Sequence, residues 1–132
     1  MIKSVALYGF ASATREGVWQ SKADEVWSIG WAYKYDLPRL DLILEIHPIW
    51  LQALSKNPEY QKPRDHWAWM KANTTVPLYM LIQHPEVPMC VEYPILQAMD
   101  LVPVSRRRKV FSSSFDFLVP LAILKGYKRI EV

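Results

Sequence analysis

Ser4-Val5-Ala6-Leu7-Tyr8-Gly9, followed at once by Phe10-Ala11-Ser12-Ala13-Thr14-Arg15, sets a pattern that the rest of the chain repeats. An apolar run this short, closed by glycine, reads as a strand buried on both faces and not as a helix. The small residues after it make a turn, and a helical turn is expected near Glu16 to Lys22. Glu25-Val26-Trp27-Ser28-Ile29-Gly30 repeats both the strand and its glycine stop, with Trp31, Tyr33 and Tyr35 crowding the next loop. Asp41-Leu42-Ile43-Leu44-Glu45-Ile46 is a third strand of the same kind and ends in His47-Pro48.

Downstream the elements are shorter. Pro48 to Leu54 is expected to be helical, with proline accepted in the first turn. Asn57 to Asp65 reads as an exposed linker because of its prolines and charges. His66 to Lys71 is a short helix with Asp65 as N-cap, and Val76 to Ile82 is the fourth strand, with Pro77 near its start. Pro85, Pro88 and Pro94 punctuate an irregular stretch before a short helix at Ile95 to Met99. Phe111 and the serines Ser112, Ser113 and Ser114 precede an apolar helix, Phe115 to Lys125, in which Pro120 should produce a kink. Gly126 stands where a helix ends in the left-handed conformation, and Tyr127 to Val132 alternates like an edge strand. Strands that alternate with helical segments predict an α/β, Rossmann-like domain over residues 1–132. Its mostly parallel sheet would have about five strands, with helices on both faces.

Composition narrows the setting. With 132 residues, 51% of them hydrophobic and 22% charged, the chain can bury the core of one domain. The single cysteine, Cys90, cannot pair internally, which favours a reducing, cytoplasmic compartment. No signal peptide is evident, and the apolar runs fall far short of the ~20 residues of a bilayer span, so no membrane partner is expected. A net charge of +3 admits an anionic ligand without naming one. Six tryptophans and seven tyrosines are more than a small core needs, so some should line a pocket or a homo-oligomer contact.

In a parallel sheet, ligands lie outside the carboxyl ends of the strands, where the strand order reverses. The residues at those positions are the candidates. Gly9, Phe10, Ala11, Ser12, Thr14 and Arg15 form a small-residue turn whose N–H groups could approach a phosphate. With one glycine it is neither a Walker A loop nor a dinucleotide fingerprint, and a plain packing turn is the alternative. Ser112, Ser113 and Ser114 offer hydroxyls and helix-start donors for the same anion, or simply cap the helix. His47 follows a strand directly and is the candidate acid or base, with Glu45 two residues earlier on the same side. Phe10, Trp31, Tyr33 and Trp50 are rings placed to stack on a base. His66 and His84 stand alone in sequence, and no spacing suggests a metal site or a resident cofactor. Arg106 to Lys109 is a basic loop without a nucleic-acid-binding motif around it, which disfavours nucleic acid.

Phe111-Ser112-Ser113-Ser114, the apolar helix and Ala122-Ile123-Leu124-Lys125-Gly126-Tyr127-Lys128-Arg129-Ile130 together resemble a stretch of Rossmann-like proteins of the bacterial sialyltransferase and motility-accessory-factor type. Gly9 to Thr14 is similar to the opening loop of those proteins, and Glu45-Ile46-His47-Pro48 resembles a step in phage and bacterial proteins of that build. The resemblance implies a cytidine-type nucleotide between Gly9, Phe10, Ala11, Ser12 and Thr14 on one side and Ser112, Ser113 and Ser114 on the other. It also implies a further C-terminal segment beyond Val132, in which the transferases keep catalytic groups. Gly30, in place of the usual asparagine, and Pro120 inside the helix depart from the pattern.

Two classes of function remain. One is a binding protein that holds a nucleotide or nucleotide-sugar and returns it unchanged, sequestering a nucleotide signal. The other is a glycosyl- or nucleotidyl-transferase, with His47 or Glu45 as base and Arg15 or Arg106 as phosphate clamp.

Overall fold

Alternation along each strand decides which helix it meets. In the first strand, Val5 and Leu7 point to one face of the sheet and Ala6 to the other, and all three are fully buried. The computed structural model describes residues 3–9, 17–35, 37–46, 66–107, 111 and 115–132. Within them, six strands form one sheet: β1 Ser4–Leu7, β2 Glu25–Ile29, β3 Leu42–Glu45, β4 Leu78–Met80, β5 Cys90–Glu92 and β6 Arg129–Glu131. They lie in the order β5-β4-β3-β2-β1-β6, and every pairing is parallel. This is the expected α/β, Rossmann-like architecture, with six strands in place of five.

The added strand is β5, within the stretch that its prolines mark as irregular. The connection from β4 to β5, residues 81–89, makes the parallel step with turns and no helix. Val87 N–H donates to the His84 carbonyl, Cys90 N–H to that of Val87, and the Gln83 amide to that of Cys90. Buried Val87 plugs the space that a crossover helix usually fills.

Each step from β1 through β5 moves one strand in the same direction, while the return to β6 crosses the whole sheet the other way. Right-handed crossovers therefore put the early connections on one face and the last connection on the other. The first face carries helical residues 17–20, a 3-10 turn at Ala32–Lys34 and α1, His66–Ala72. Val18 and Ala23 pack there on Ala6 and Val26, and Met70 packs with Ile43, Leu78 and Met80. The second face carries α2, Ile95–Asp100, and α3, Leu118–Leu124. Here Leu118, Leu121 and Ala122 join Val5, Leu7, Trp27, Leu42 and Leu44 in the largest core cluster. Burying one such aliphatic side chain is worth about 1.5–3 kcal/mol.

Pro120 does not bend an α-helix as the sequence suggests. Residues Phe115–Phe117 form a 3-10 turn and the α-helix begins only at Leu118, which places Pro120 in its first turn. Those N–H groups have no intrahelical acceptor, so proline costs none there. At the far end Gly126 adopts φ 85°. Tyr127 N–H reaches back to the Ala122 carbonyl and Gly126 N–H to that of Ile123, a Schellman closure. The chain then enters β6 at the sheet edge, as its alternation predicts.

Polar staples hold the amino ends of the strands. The Asp24 carboxylate accepts from both the N–H and the hydroxyl of Ser4, at 2.7 and 3.1 Å. Asp41 accepts from Val26 N–H at 2.8 Å, and the Asn73 side chain closes the loop into β4 through Thr75 and Val76. Expectations for a helix at residues 48–54, a linker at 57–65 and the Asp65 cap lie outside the described residues.

Candidate functional site

The carboxyl ends of the strands are built differently. Glu45 closes β3, and its side chain lies on the same face as Ile43, beneath α1. A carboxylate there would be stranded among apolar side chains without a partner. The partner is His66, the first residue of α1: its Nε2 lies 2.8 Å from Glu45 Oε2, and both side chains are 1% exposed. The other imidazole nitrogen, Nδ1, lies 2.6 Å from the hydroxyl of Tyr33, which belongs to the 3-10 turn after β2.

Donor chemistry orders this chain. An ionised carboxylate only accepts, so Nε2 carries the ring proton and donates to Glu45. Nδ1 is then the acceptor for the Tyr33 hydroxyl. This tautomer is assigned from the partners. The Tyr33 and His66 rings lie 14° from parallel with centroids 5.5 Å apart, too far for face-to-face contact. That arrangement suits a hydrogen bond in the plane of both rings. Tyr33 instead stacks on Trp69 of α1, with centroids 3.6 Å apart and planes 4° from parallel. Trp31 meets the His66 ring edge-on at 6.1 Å. Three aromatic rings thus surround the imidazole, and Tyr33 is the half-buried member of an otherwise buried polar chain.

Neighbouring strands add to the same end of the sheet. Buried Ser28 on β2 donates its hydroxyl to the Tyr8 carbonyl at 2.5 Å. Gly30, at φ 51°, ends β2 and donates its N–H to the Leu44 carbonyl at 2.8 Å. Gly9 follows β1, and a Cβ built on it meets nothing within 4 Å among the described residues.

Two ionisable groups away from this cluster are displaced. Hydrogen bonds from the Ser4 N–H and hydroxyl, helped by Lys3 and Arg39, hold the exposed Asp24 carboxyl below its ordinary value of 3.8. Burial pushes the Tyr93 phenol well above its ordinary range. Its hydroxyl donates to the Phe117 carbonyl at 2.7 Å.

No known protein family, curated protein or solved structure matches the chain. The chemistry has to be read from its own residues.

Of the residues singled out in the sequence at strand ends, Gly9, Trp31, Tyr33 and Glu45 are described, and all four stand at strand carboxyl ends. Phe10, Ala11, Ser12, Thr14, Arg15, His47, Trp50, Ser112, Ser113 and Ser114 lie outside the described residues. Arg106 is exposed, whereas Arg107 is engaged: its Nε donates to the Met99 and Val102 carbonyls at 2.9 and 3.0 Å. His84 packs edge-on to Trp67, and Cys90 is a buried thiol. Among the described residues, no group of three or more His, Cys, Asp or Glu side chains is placed to hold a metal ion, and no helix is long and apolar enough to cross a membrane.

His66 is the member of this buried chain that sequence reasoning set aside. It is 21 residues from Glu45, and nothing local marks it. The usable signal is Glu45 itself, because a carboxylate at an inward position of an apolar parallel strand requires a buried partner from the covering helix.

Proposed function

We propose that the chain binds a nucleotide or nucleotide-derived ligand outside the carboxyl ends of its strands. The observation that carries this reading is the convergence of Gly9, Trp31, Tyr33 and Glu45. They follow or close the adjacent strands β1, β2 and β3, on a sheet whose amino ends are tied by plain structural staples. Open parallel sheets bind ligands at this end. The residues bring what a nucleotide needs: a glycine for a phosphate to approach, aromatic surface for a base and a polar chain for a sugar or phosphoryl group. The net charge of +3 suits an anionic ligand. The resemblance of residues 111–130 to proteins of the sialyltransferase and motility-accessory-factor type supports the same ligand class.

Native mass spectrometry of the purified protein, followed by heat release, tests the reading and gives the oligomer count in the same spectrum. A nucleotide carried through purification, or calorimetric binding of ATP, UDP or CMP, is the expected result. Gly9→Leu sharpens the test. No described residue lies within 4 Å of the built Cβ, so leucine should be tolerated there, while a phosphate approaching the β1 tip would collide with it. Binding should fall by about tenfold or more, roughly 1.4 kcal/mol. An empty protein that ignores all three nucleotides removes the proposal.

A further inference from the structure

The geometry points to Tyr33 as a proton-transfer residue that acts on the bound nucleotide, with His66 and Glu45 positioned behind it. This rests on the nucleotide-binding reading and extends it from holding a ligand to hydrolysing one. Activated side chains are recognised by a reactive group within hydrogen-bond reach of a base that a third group orients. Tyr33, His66 and Glu45 meet that description at 2.6 and 2.8 Å.

Exposure divides the three residues by role. His66 and Glu45 are each 1% exposed and cannot touch a ligand, whereas Tyr33 is half-buried and carries the chain outward to the β2 tip. The stack on Trp69 fixes the phenol ring, so its hydroxyl is held on the imidazole. A buried carboxylate hydrogen-bonded to an imidazole is a costly way to fill a core, since both polar groups must be taken out of water. A buried, oriented acid–base pair is, however, what proton transfer at neutral pH requires.

The step balances with water as the only co-reactant. A water molecule gives a proton to Tyr33 Oη as the tyrosine's own proton passes to His66 Nδ1, and Glu45 stabilises the imidazolium. The water oxygen bonds to phosphorus, and the bond from phosphorus to the leaving oxygen breaks with its electron pair. The proton then returns through Tyr33 to that oxygen, which regenerates neutral His66. The substrate class is a nucleotide with a phosphoanhydride or phosphoester bond to cleave.

The test uses the whole chain with ATP, UDP and 3′,5′-cyclic AMP, reading binding by calorimetry and cleavage by phosphorus NMR. The parent protein is expected to bind and cleave at least one of them. Tyr33→Phe keeps the ring on Trp69 and should bind within about threefold of the parent while turnover drops ~100-fold or more. Glu45→Gln should change the shape of the pH–rate profile, which a merely structural carboxylate would leave alone. A parent that binds without cleaving overturns the catalytic role and leaves the binding reading standing, as does Tyr33→Phe cleaving as fast as the parent. A parent that binds none of the three takes both readings down. If Tyr33→Phe fails to fold, 3-fluorotyrosine incorporation replaces it: the more acidic phenol must shift the pH–rate profile, and an unshifted profile overturns the role.

Discussion

Replacing His66 with leucine should cost far more stability than replacing His66 and Glu45 together. The single change leaves the Glu45 carboxylate, 1% exposed, without its imidazole. Removing one partner of a buried pair typically costs about 3–5 kcal/mol, most of it desolvation of the charge left behind. A chain of this length should have about 7–20 kcal/mol in total, so the variant still folds. With a urea slope near 2 kcal/mol per molar, a loss of about 4 kcal/mol lowers the midpoint by about 2 M. In His66→Leu/Glu45→Leu no buried charge remains, and the leucines extend the cluster around Ile43 and Met70. The outstanding penalty is at the half-buried Tyr33, whose hydroxyl loses its imidazole acceptor, a cost of about 1 kcal/mol. The double variant should therefore lie within about 1–2 kcal/mol of the parent. Urea titrations at pH 7, followed by tryptophan fluorescence and far-UV circular dichroism, read all three proteins. Two results refute the reasoning: a single-variant loss below about 1 kcal/mol, or a double variant as unstable as the single. The first would mean that the carboxylate is not desolvated against the imidazole, and the second that the pair itself stabilises the fold.

Asp24 makes a prediction in acid. Its folded-state value is held down, so the unfolded chain takes up the proton first as pH falls; its contribution is complete above 3.8 and lost as pH drops through the lower folded value. Asp24→Asn should flatten the acid limb of stability against pH, and a limb unchanged in chemical denaturation would remove that assignment. Tyr93 makes the opposite prediction in alkali: its folded value is raised, so its contribution is complete below 10.0 and is lost above that, at about 1.4 kcal/mol per pH unit. Tyr93→Phe should lose that slope and cost about 1–3 kcal/mol at neutral pH for the orphaned Phe117 carbonyl, as equilibrium unfolding would show. Gly126→Ala forces a side chain into φ 85° and should cost about 1–2 kcal/mol. Gly17→Ala fails for a different reason, since its Cβ would lie 2.9 Å from the Tyr8 ring; a melting temperature equal to the parent's in either variant would count against the local geometry.

Periodicity made most of the fold legible because the central strands are buried on both faces. Val5-Ala6-Leu7, Val26-Trp27 and Leu42-Ile43-Leu44 are continuous apolar runs for that reason. Gly126 was legible because a left-handed helix end leaves few alternatives to glycine. Strand β5 was not. Cys90-Val91-Glu92 has one buried side chain and prolines nearby, so its strand character comes from pairing with β4 and not from its own pattern. Pro120 misled because helix type is a tertiary outcome. The switch from 3-10 to α at Leu118 follows how Phe117 and Leu118 pack on the sheet, which no local window reports. The strand-end rule pointed at Gly9, Trp31 and Glu45, but could not supply the partner that reaches Glu45 from another element.

The two ends of the sheet show what the polar residues are for. At the amino ends, Asp24, Asp41 and Asn73 accept from backbone N–H groups at strand starts, so each carboxylate or amide satisfies a donor that folding would otherwise orphan. Such contacts stabilise the fold at little desolvation cost, because Asp24 is exposed and Asp41 half-buried. At the carboxyl ends the logic reverses. His66 bridges Glu45 and Tyr33 through two side-chain contacts, neither of which closes a strand or caps a helix, and the Glu45–His66 pair is almost wholly out of water. The Glu45–His66–Tyr33 chain ties β3, α1 and the turn after β2 together at the carboxyl ends of the strands, with Tyr33 as its half-buried member, which is where the proposed ligand would meet it.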